Sequence, residues 1–388
     1  MVSFYIFIST IASVPHYIML LALVTLLIRN YKAILHNKFP FKPNLNLILI
    51  TLIVFLSLIN QSLTPTTTDI LPSLFPYTIF MFASYFIAKY ISIKDIKILV
   101  LLIALEVVIG MLEYLFKVNS FLFWEDFYMK YNTSNLIYFN KAFGLSVNSS
   151  ILAIKITIAI LLVEYFKLFE NKSRFFIKII LFIGLYITFQ RTSIIVIVFF
   201  YLIQFIKTMI ATINPIKLQI RITKIITRTL FIVLILTLSG ILIINTGKIL
   251  NQFSKGKGKI ELSGREKIWP QYITFIKNNI VFGNYSKKYF VEYRGEKEGA
   301  HAHNSFLEVL STHGIIIFIL FMLILIININ KKNYLFMGSL VILSLFQYAL
   351  FWGTSLVDIV FYIFVLQPIS LNNDKNKLNT QKPTLSLS

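Results

Sequence analysis

The sequence predicts an all-α membrane protein: a polytopic bundle of about 11 transmembrane helices, with a long outer-face loop that contains short helices. The 388 residues are 57% hydrophobic and only 14% charged, with a mean hydropathy of +0.77, whereas soluble domains carry about 25% charged residues. The apolar residues fall in blocks of roughly 17–25, the length of a helix that crosses a bilayer. These blocks are apolar throughout rather than alternating, which favours helices over barrel strands.

The apolar blocks define the spans and divide the chain into four parts. Residues 1–246 hold the first eight spans, residues 247–303 form a long polar loop, residues 304–370 hold the last three spans, and residues 371–388 form a polar tail that is predicted to be disordered. In chain order the predicted spans are 4–28, 44–60, 71–88, 97–116, 148–166, 176–190, 192–207, 228–246, 304–328, 334–352 and 355–370.

Lysine and arginine cluster in alternate connections between the spans, such as residues 29–43, 89–97 and 167–178, while residues 61–70 contain neither. Cytoplasmic loops of membrane proteins carry this excess of positive charge. The pattern therefore predicts an N-terminus outside, a C-terminus inside and the loop 247–303 on the outer face. It also accounts for the net charge of +21 without nucleic acid as a partner, since no soluble basic domain is predicted to bind it.

The chain contains no cysteine, which excludes disulfides, thiolate metal sites and a cysteine nucleophile. The first residues lack a basic segment and a small-residue cleavage site. We therefore expect no cleaved signal peptide.

Charged residues inside the predicted spans include Glu106, Glu113, Lys155, Glu164 and Asp358. Such residues are costly in a bilayer and usually face the interior of the bundle. Glu106 and Lys155 lie at similar depth in adjacent antiparallel spans. They form either a structural ion pair or part of a proton or ion relay.

The segment Ser263-Gly264-Arg265-Glu266 contains Ser-x-x-Glu, the pattern of a capping box, and predicts a helix start in the long loop. Apolar residues at helical spacing follow, and Pro270 is expected to kink this helix. Arg265 lies at its N-terminal end, where backbone N–H groups also attract anions. Arg265 is thus either an anion-binding residue or an ordinary surface arginine.

Two histidines separated by one residue, His301 and His303, precede the span at 304–328. A metal site is disfavoured because no cysteine and no second carboxylate ligand lies at a suitable spacing. A general base is the simpler role, since imidazole titrates near neutral pH. We predict no metal and no other cofactor.

Arg191 separates two apolar runs that are together too long for one span, so it marks a tight turn on the outer face. Its guanidinium either extends to lipid phosphates or grips a phosphate group in a polar cavity. The sequence favours neither interpretation.

Several of these residues belong to a pattern that resembles the O-antigen ligase and polymerase superfamily. The pattern comprises Ser-Gly-Arg-x-x-x-Trp at 263–269, Val-Phe-Gly at 281–283, His-Asn-x-x-Leu-x-x-Leu-x-x-x-Gly at 303–314, Phe143-Gly144 with Asn148, and the Arg191-Thr192 turn. The resemblance in layout covers most of the chain, whereas the motif match is confined to residues 190–193 and 263–314. Two departures are Pro270 and the sequence Gly283-Asn284-Tyr285, which stands where the family has Gly-x-Gly.

The resemblance implies a GT-C-like, inverting, metal-independent glycosyltransferase in the bacterial cytoplasmic (inner) membrane, with its active site on the periplasmic face. The donor would be an oligosaccharide on undecaprenyl diphosphate. By their places in the motifs, His303 would be the general base and Arg191 and Arg265 would bind the diphosphate, with His301 and Arg294 as secondary substrate-binding candidates. The implied partners are this donor, an acceptor glycan, the lipid bilayer and, as a further candidate, a chain-length regulator.

Two activities of the superfamily share this chemistry. A polymerase joins lipid-linked repeats of O-antigen or capsular glycan, and a ligase transfers the finished chain to lipid A–core; the partial motif match favours the polymerase. A lipid-linked oligosaccharide flippase is the alternative from another class, because it would also have many spans and buried charges. The absence of paired, interrupted spans argues against a transporter. The sequence does not specify the sugar, the linkage, the chain-length control or the oligomeric state.

Overall fold

The computed structural model describes residues 1–31, 44–63, 77–118, 120–122, 141–212, 264–293, 296–351, 353 and 355–367. The predicted span 228–246, the predicted disordered tail 371–388 and the candidate residue Arg294 lie outside these described residues.

Helices make up most of the described chain, as the all-α prediction requires. In order they are α1 (Val2–Ile8), α2 (Met19–Arg29), α3 (Leu45–Ser62), α4 (Phe80–Tyr90), α5 (Ile93–Leu115), α6 (Ser149–Phe166), α7 (Asn171–Ile187), α8 (Arg191–Thr212), α9 (Arg265–Asn278), α10 (Ser305–Ile327), α11 (Tyr334–Phe346) and α12 (Leu356–Leu366). The long loop also contains a short antiparallel hairpin, β1 (Val291–Tyr293) and β2 (Glu296–Ala300). Valine and tyrosine favour such extended pairing, and the sequence analysis did not predict it.

Five of the described helices are long and apolar enough to cross a membrane: α3, α5, α6, residues Arg191–Met209 of α8, and α10. Three shorter apolar helices, α2, α11 and α12, lie within the predicted spans 4–28, 334–352 and 355–370. These helices support a multi-pass membrane protein.

The predicted first span, 4–28, is not one helix. The chain leaves α1 after Ile8 and resumes helical structure at His16, and Pro15 lies in the break. Proline has no N–H to donate and disfavours the helical conformation in the residue before it. An apolar stretch of this length is therefore divided into two shorter helices.

Both ends of this N-terminal segment reach the same residue. The Ser3 hydroxyl donates to the backbone oxygen of Asp95 over 2.6 Å, and the Arg29 guanidinium forms a 2.8 Å ion pair with the Asp95 carboxylate. Residues 1–31 are therefore a helical hairpin. The sequence predicts the N-terminus on the side opposite the basic connections. This prediction is wrong, because the N-terminus lies at the same end of the bundle as Arg29.

Contacts between helix termini distinguish two ends of the bundle. At one end Asn46 and Asn328 exchange side-chain hydrogen bonds, and the Tyr165 hydroxyl donates to the backbone oxygen of Gln367. We call this the basic end because its short connections are rich in lysine and arginine: Arg29, Lys89, Lys94, Lys97, Lys167, Lys172, Arg174, Lys331 and Lys332. We call the opposite end the site end; there Ala142 donates its N–H to the oxygen of Ile187.

The predicted contact between Glu106 and Lys155 is present. Lys155 Nζ donates to both oxygens of Glu106, over 2.9 and 3.0 Å, and the Ser146 hydroxyl donates to the same carboxylate over 2.8 Å. Both charged side chains are fully buried. This geometry favours the interpretation as a structural ion pair, because each charge is compensated where it lies.

We expect the single variants Glu106→Lys and Lys155→Glu to lower the amount of protein in the membrane strongly. Each leaves two like charges buried together, at a cost of about 3–5 kcal/mol. The double exchange should restore at least half of the wild-type amount, measured by quantitative immunoblotting of membranes. A double variant as poor as the single variants would contradict the pair, and single variants with normal abundance but altered proton flux would favour the relay.

The other carboxylates inside the predicted spans are also hydrogen-bonded. Glu113 accepts the backbone N–H groups of Phe121, Phe143 and Gly144, over 2.9, 3.0 and 2.7 Å. Glu164 accepts from Lys178 Nζ and from the Tyr201 hydroxyl, and Asp358 accepts the N–H groups of Phe351 and Gly353. These residues therefore hold loops and helices together.

A break in α10 joins this helix to the long loop. Gly314 has φ +78° and ψ 179°, which separates an outer arm, Ser305–His313, from the rest of α10. The loop residues 280–286 fill the break: the N–H of Asn284 bonds to Ser311 O (2.7 Å), that of Ser286 to Thr312 O (2.8 Å), and that of Ile315 to Ile280 O (2.8 Å). Backbone groups freed by the break are thus paired again, as a membrane protein requires.

Candidate active site

Arg191 is the first residue of α8 and lies at the site end. The turn from α7 occupies residues 188–190, with Phe189 in the left-handed region at φ +51°. The predicted tight turn at Arg191 is therefore confirmed. The backbone of this turn is held by the buried loop at 141–146, through the hydrogen bond from Ala142 to Ile187.

Arg265 is the first residue of α9, and Gly264 is its N-cap with φ +86°. The predicted capping box is wrong, because the helix begins one residue later than a cap at Ser263 would place it. Glycine adopts this left-handed conformation without strain. Pro270 lies within α9, which continues through it to Asn278.

The guanidinium of Arg265 donates to the backbone oxygen of Phe346, at the end of α11, over 2.6 Å. Burial lowers the pKa of Arg265, and the positive charge of Arg191 lowers it further, while Glu266 raises it. The two arginines come from separate parts of the sequence but are close enough for their charges to interact. This is the arrangement expected of a binding site for an anion.

The two histidines lie on a turn whose central residue is held on both sides. The backbone oxygen of Ala302 accepts a 2.8 Å hydrogen bond from the indole of Trp269, and its N–H donates to the carboxylate of Glu308. Ala302 is buried in a small apolar cluster of the loop, with Ile268, Tyr272, Val291 and Ala300. The Trp of the Ser-Gly-Arg-x-x-x-Trp motif thus fixes the histidine turn.

His303 has φ +50°, and its ring lies 4.0 Å from that of His301, centroid to centroid. Burial and the charges of His301 and Arg265 together lower the pKa of His303 to about 3. Burial, Lys288 and Arg265 together lower the pKa of His301 to about 4. Both imidazoles are therefore neutral near pH 7, and each has an acceptor nitrogen.

Asn304, the second residue of the His-Asn motif, is the N-cap of α10. Its side-chain oxygen accepts the N–H groups of Phe306 and Leu307, over 2.9 and 3.1 Å, and so caps the start of α10. The next residue, Ser305, accepts the N–H groups of Ala349 and Leu350 through its hydroxyl. These contacts fix His303 beside the segment that follows α11.

The sequence analysis did not single out two charged residues beside the histidines. Lys288 lies after the segment that fills the α10 break, with Nζ 5.7 Å from the ring centre of Tyr348. Burial lowers its pKa to about 8, against the opposing effect of Glu308. Glu308 lies in the outer arm of α10, and its side chain is 1% exposed. No residue pattern pointed to Lys288, whereas a carboxylate one turn after a helix cap was visible but was not considered.

Of the predicted site residues, Arg191, Arg265, His301 and His303 lie at the site end, while Arg294 is outside the described residues. In the described ranges, no group of three or more histidine, aspartate or glutamate side chains is arranged to hold a metal ion. Among the residues that the structure describes, the site therefore presents cations and neutral imidazoles around one buried carboxylate, Glu308.

Residues 176–322 match the family described as O-antigen ligase. The matched segment begins in α7, ends in α10 and contains Arg191, Arg265, His301 and His303. No curated protein and no solved structure gives a significant match to the chain.

The fold and the matched domain define a multi-pass membrane protein with a role in lipid-linked glycan transfer for polysaccharide or lipopolysaccharide biosynthesis. The matched domain at residues 176–322 supports membership of the O-antigen ligase and polymerase superfamily. The resemblance stated from the motifs is confirmed.

Proposed function

We propose that the protein is an inverting, metal-independent glycosyltransferase that polymerises O-antigen or capsular repeat units. It transfers a glycan from undecaprenyl diphosphate to a sugar hydroxyl of the acceptor. The observation that carries this proposal is the convergence of Arg191, Arg265 and His303 at one end of the bundle. The three residues are separated by long stretches of sequence and meet through α8, α9 and the start of α10.

The proposed reaction needs a base and a stabilised leaving group. His303 takes the proton of the acceptor hydroxyl, whose oxygen attacks the anomeric carbon of the donor from the face opposite the diphosphate. The new carbon–oxygen bond forms while the bond to the diphosphate breaks, and the electron pair leaves with the phosphate oxygen. Arg191 and Arg265 stabilise the negative charge that develops on that oxygen, because a guanidinium can form bidentate hydrogen bonds to a phosphate.

The charge of the free site suits this order of events. Without an anion, Arg265 opposes protonation of His303 and keeps the imidazole ready to accept a proton. A bound diphosphate brings negative charge that offsets the arginines, which raises the pKa of His303 toward the value at which a base works best. Binding of the donor diphosphate therefore makes His303 a stronger base.

The distribution of charge supports a site on the outer face of the cytoplasmic membrane. The short described connections at the basic end are rich in lysine and arginine, and an excess of these residues in short loops marks the cytoplasmic side. The arginines and histidines of the site lie at the opposite end. A lipid-linked donor is already activated, so it serves a periplasmic enzyme that has no access to nucleotide sugars.

The ligase is the second candidate, because the matched family is described as O-antigen ligase. The two activities differ in the acceptor, and a deletion strain separates them. Loss of a polymerase leaves a single repeat unit on lipid A–core, whereas loss of a ligase leaves lipid A–core without glycan. A flippase would give no transfer by the purified protein.

We expect Arg265→Ala to lower glycan transfer by about 10²–10³-fold, the usual effect of removing one donor to a developing anion. Arg265→Lys should be intermediate, because it keeps the charge but loses the planar pair of donors. Transfer is measured with the purified protein and an undecaprenyl-diphosphate-linked repeat, and as a surface-glycan ladder in the complemented deletion strain. Lys172→Ala, which removes an exposed charge at the basic end, is the matched control and should be normal.

Two results would count against the proposal. If wild-type protein makes no glycan product and its deletion leaves the ladder unchanged, the glycosyltransferase function is wrong. If Arg265→Ala transfers as well as Lys172→Ala at equal membrane abundance, Arg265 has no role in binding the diphosphate.

A further inference from the structure

Glu308 is a buried carboxylate directly behind the histidine turn. Its Oε1 atom accepts the N–H of Ala302, lies 3.2 Å from the hydroxyl of Tyr272, and lies 3.7 Å from Nδ1 of His301. Its side chain is 1% exposed. Burial of a carboxylate is unfavourable unless hydrogen bonds or an opposite charge compensate it.

A hydrogen-bond acceptor alone would not require a negative charge at this position. The oxygen of a glutamine side chain also accepts an N–H group and a hydroxyl, and it avoids the penalty of burying a charge. The presence of a carboxylate therefore points to positive charge that it balances, and Lys288 is one such charge. Protonated His301 would be a further positive charge, since its Nδ1 lies 3.7 Å from Glu308, and the rings of His301 and His303 lie 4.0 Å apart, centroid to centroid, tilted at 53°.

We propose that Glu308 is a positioning residue of the transferase site, which holds the histidine turn through Ala302 and balances the positive charge that the histidine pair gains during transfer. This inference rests on the proposed function. Glu308 does not contact the sugar or the diphosphate; it acts through His301 and the backbone between the two histidines.

Proton transfer to His303 changes the charge of the site. When His303 takes the proton of the acceptor hydroxyl, an imidazolium forms beside Arg265, and the pair of cations repels. The negative charge of Glu308 lowers the energy of this state from the other side of the turn. His301 lies near both Glu308 and His303, so the carboxylate acts on His303 through the imidazole of His301.

Two cations and two tyrosines also lie around the histidine pair. Arg265 of α9 and Lys288 of the loop are cations, and they disfavour the imidazolium. Tyr272 of α9 is neutral, since burial raises its phenol pKa, and the ring centre of Tyr348 lies 6.4 Å from that of His301. Among the described groups around the pair, Glu308 is the acid.

The substitution Glu308→Gln separates charge from hydrogen bonding. Glutamine keeps an oxygen for the N–H of Ala302 but removes the negative charge. We expect kcat to fall about 10-fold or more and KM to change less than about twofold, because the effect belongs to the charged state formed during transfer. The acid limb of the kcat profile should move to lower pH by about 1–3 units, since a lost negative charge lowers a histidine pKa.

Glu308→Ala and Glu292→Gln complete the experiment. Glu308→Ala removes the acceptor as well and should lose more activity, with lower membrane abundance. Glu292→Gln removes an exposed carboxylate of β1 and should match wild type in kcat and pH profile. If Glu308→Gln also matches wild type, the carboxylate is only a hydrogen-bond acceptor and the proposal is overturned.

A second measurement separates failure of this inference from failure of the proposed function. If wild-type protein transfers no glycan, the proposed function is contradicted, and the role of Glu308 is decided by NMR titration of isotope-labelled histidine in nanodiscs. In the wild type, the His301 resonances should respond to ionisation of the Glu308 carboxyl as well as to protonation of the imidazole, and Glu308→Gln should remove the first response. An unchanged titration overturns the interaction between Glu308 and the histidine pair.

Discussion

Replacing His303 by alanine or asparagine is expected to lower glycan transfer by about 10²–10⁴-fold, the usual contribution of a general base. Asparagine is the sharper variant because it tolerates the left-handed conformation that His303 adopts at φ +50°. Neither substitution should reduce membrane abundance, since Ala302 and Asn304 fix the turn through their own hydrogen bonds. The readouts are the surface-glycan ladder and transfer by the purified protein.

The pH dependence of His303 follows from its environment. A histidine with a pKa of about 3 is neutral at every pH well above that value. Protonation of His303 should therefore cause no loss of kcat/KM, which reports the free enzyme, between about pH 8 and pH 5. A normal ladder from His303→Asn at wild-type abundance would show that the histidine is structural.

Replacing Gly314 by alanine is expected to prevent normal folding. An added Cβ would lie 2.0 Å from the backbone oxygen of Val281, and the conformation at φ +78°, ψ 179° is one that side chains rarely adopt. We expect a loss of stability of about 4 kcal/mol or more. It should appear as strongly reduced membrane abundance and a lower Tm in detergent.

Gly338→Ala is the matched control for Gly314→Ala. Gly338 lies in α11, and no heavy atom lies within 4 Å of its added Cβ. Alanine there should leave abundance unchanged or raise Tm slightly, because alanine favours a helix over glycine. Equal Tm values for the two variants would contradict the close packing of the loop against α10.

The sequence predicted the site motifs better than the path of the chain. Arg191 at a turn, Arg265 at a helix start and His303 before a span were all visible as patterns, because helix termini and apolar lengths are local properties. The hairpin at residues 1–31 was missed, since hydropathy sums apolar residues without regard to where the chain reverses. Proline is also tolerated in membrane helices, so Pro15 did not by itself predict a break.

Glu308 and Lys288 were missed for a different reason. The contact of Glu308 with the N–H of Ala302 depends on how the turn folds back over the first turns of α10, which residue spacing does not reveal. Lys288 is close to His301 and Tyr348 only because the segment 280–286 inserts into the break of α10. Both contacts arise from tertiary packing of the loop.

The insertion of residues 280–286 into α10 constrains how the protein is made. A typical membrane helix satisfies its own backbone and can leave the insertion machinery as a finished unit. In α10 the N–H of Ile315 and the oxygens of Ser311 and Thr312 are paired with residues translated earlier, in the preceding loop. The loop is therefore synthesised before the helix that it completes, and α10 finishes its backbone pairing only when the two segments meet.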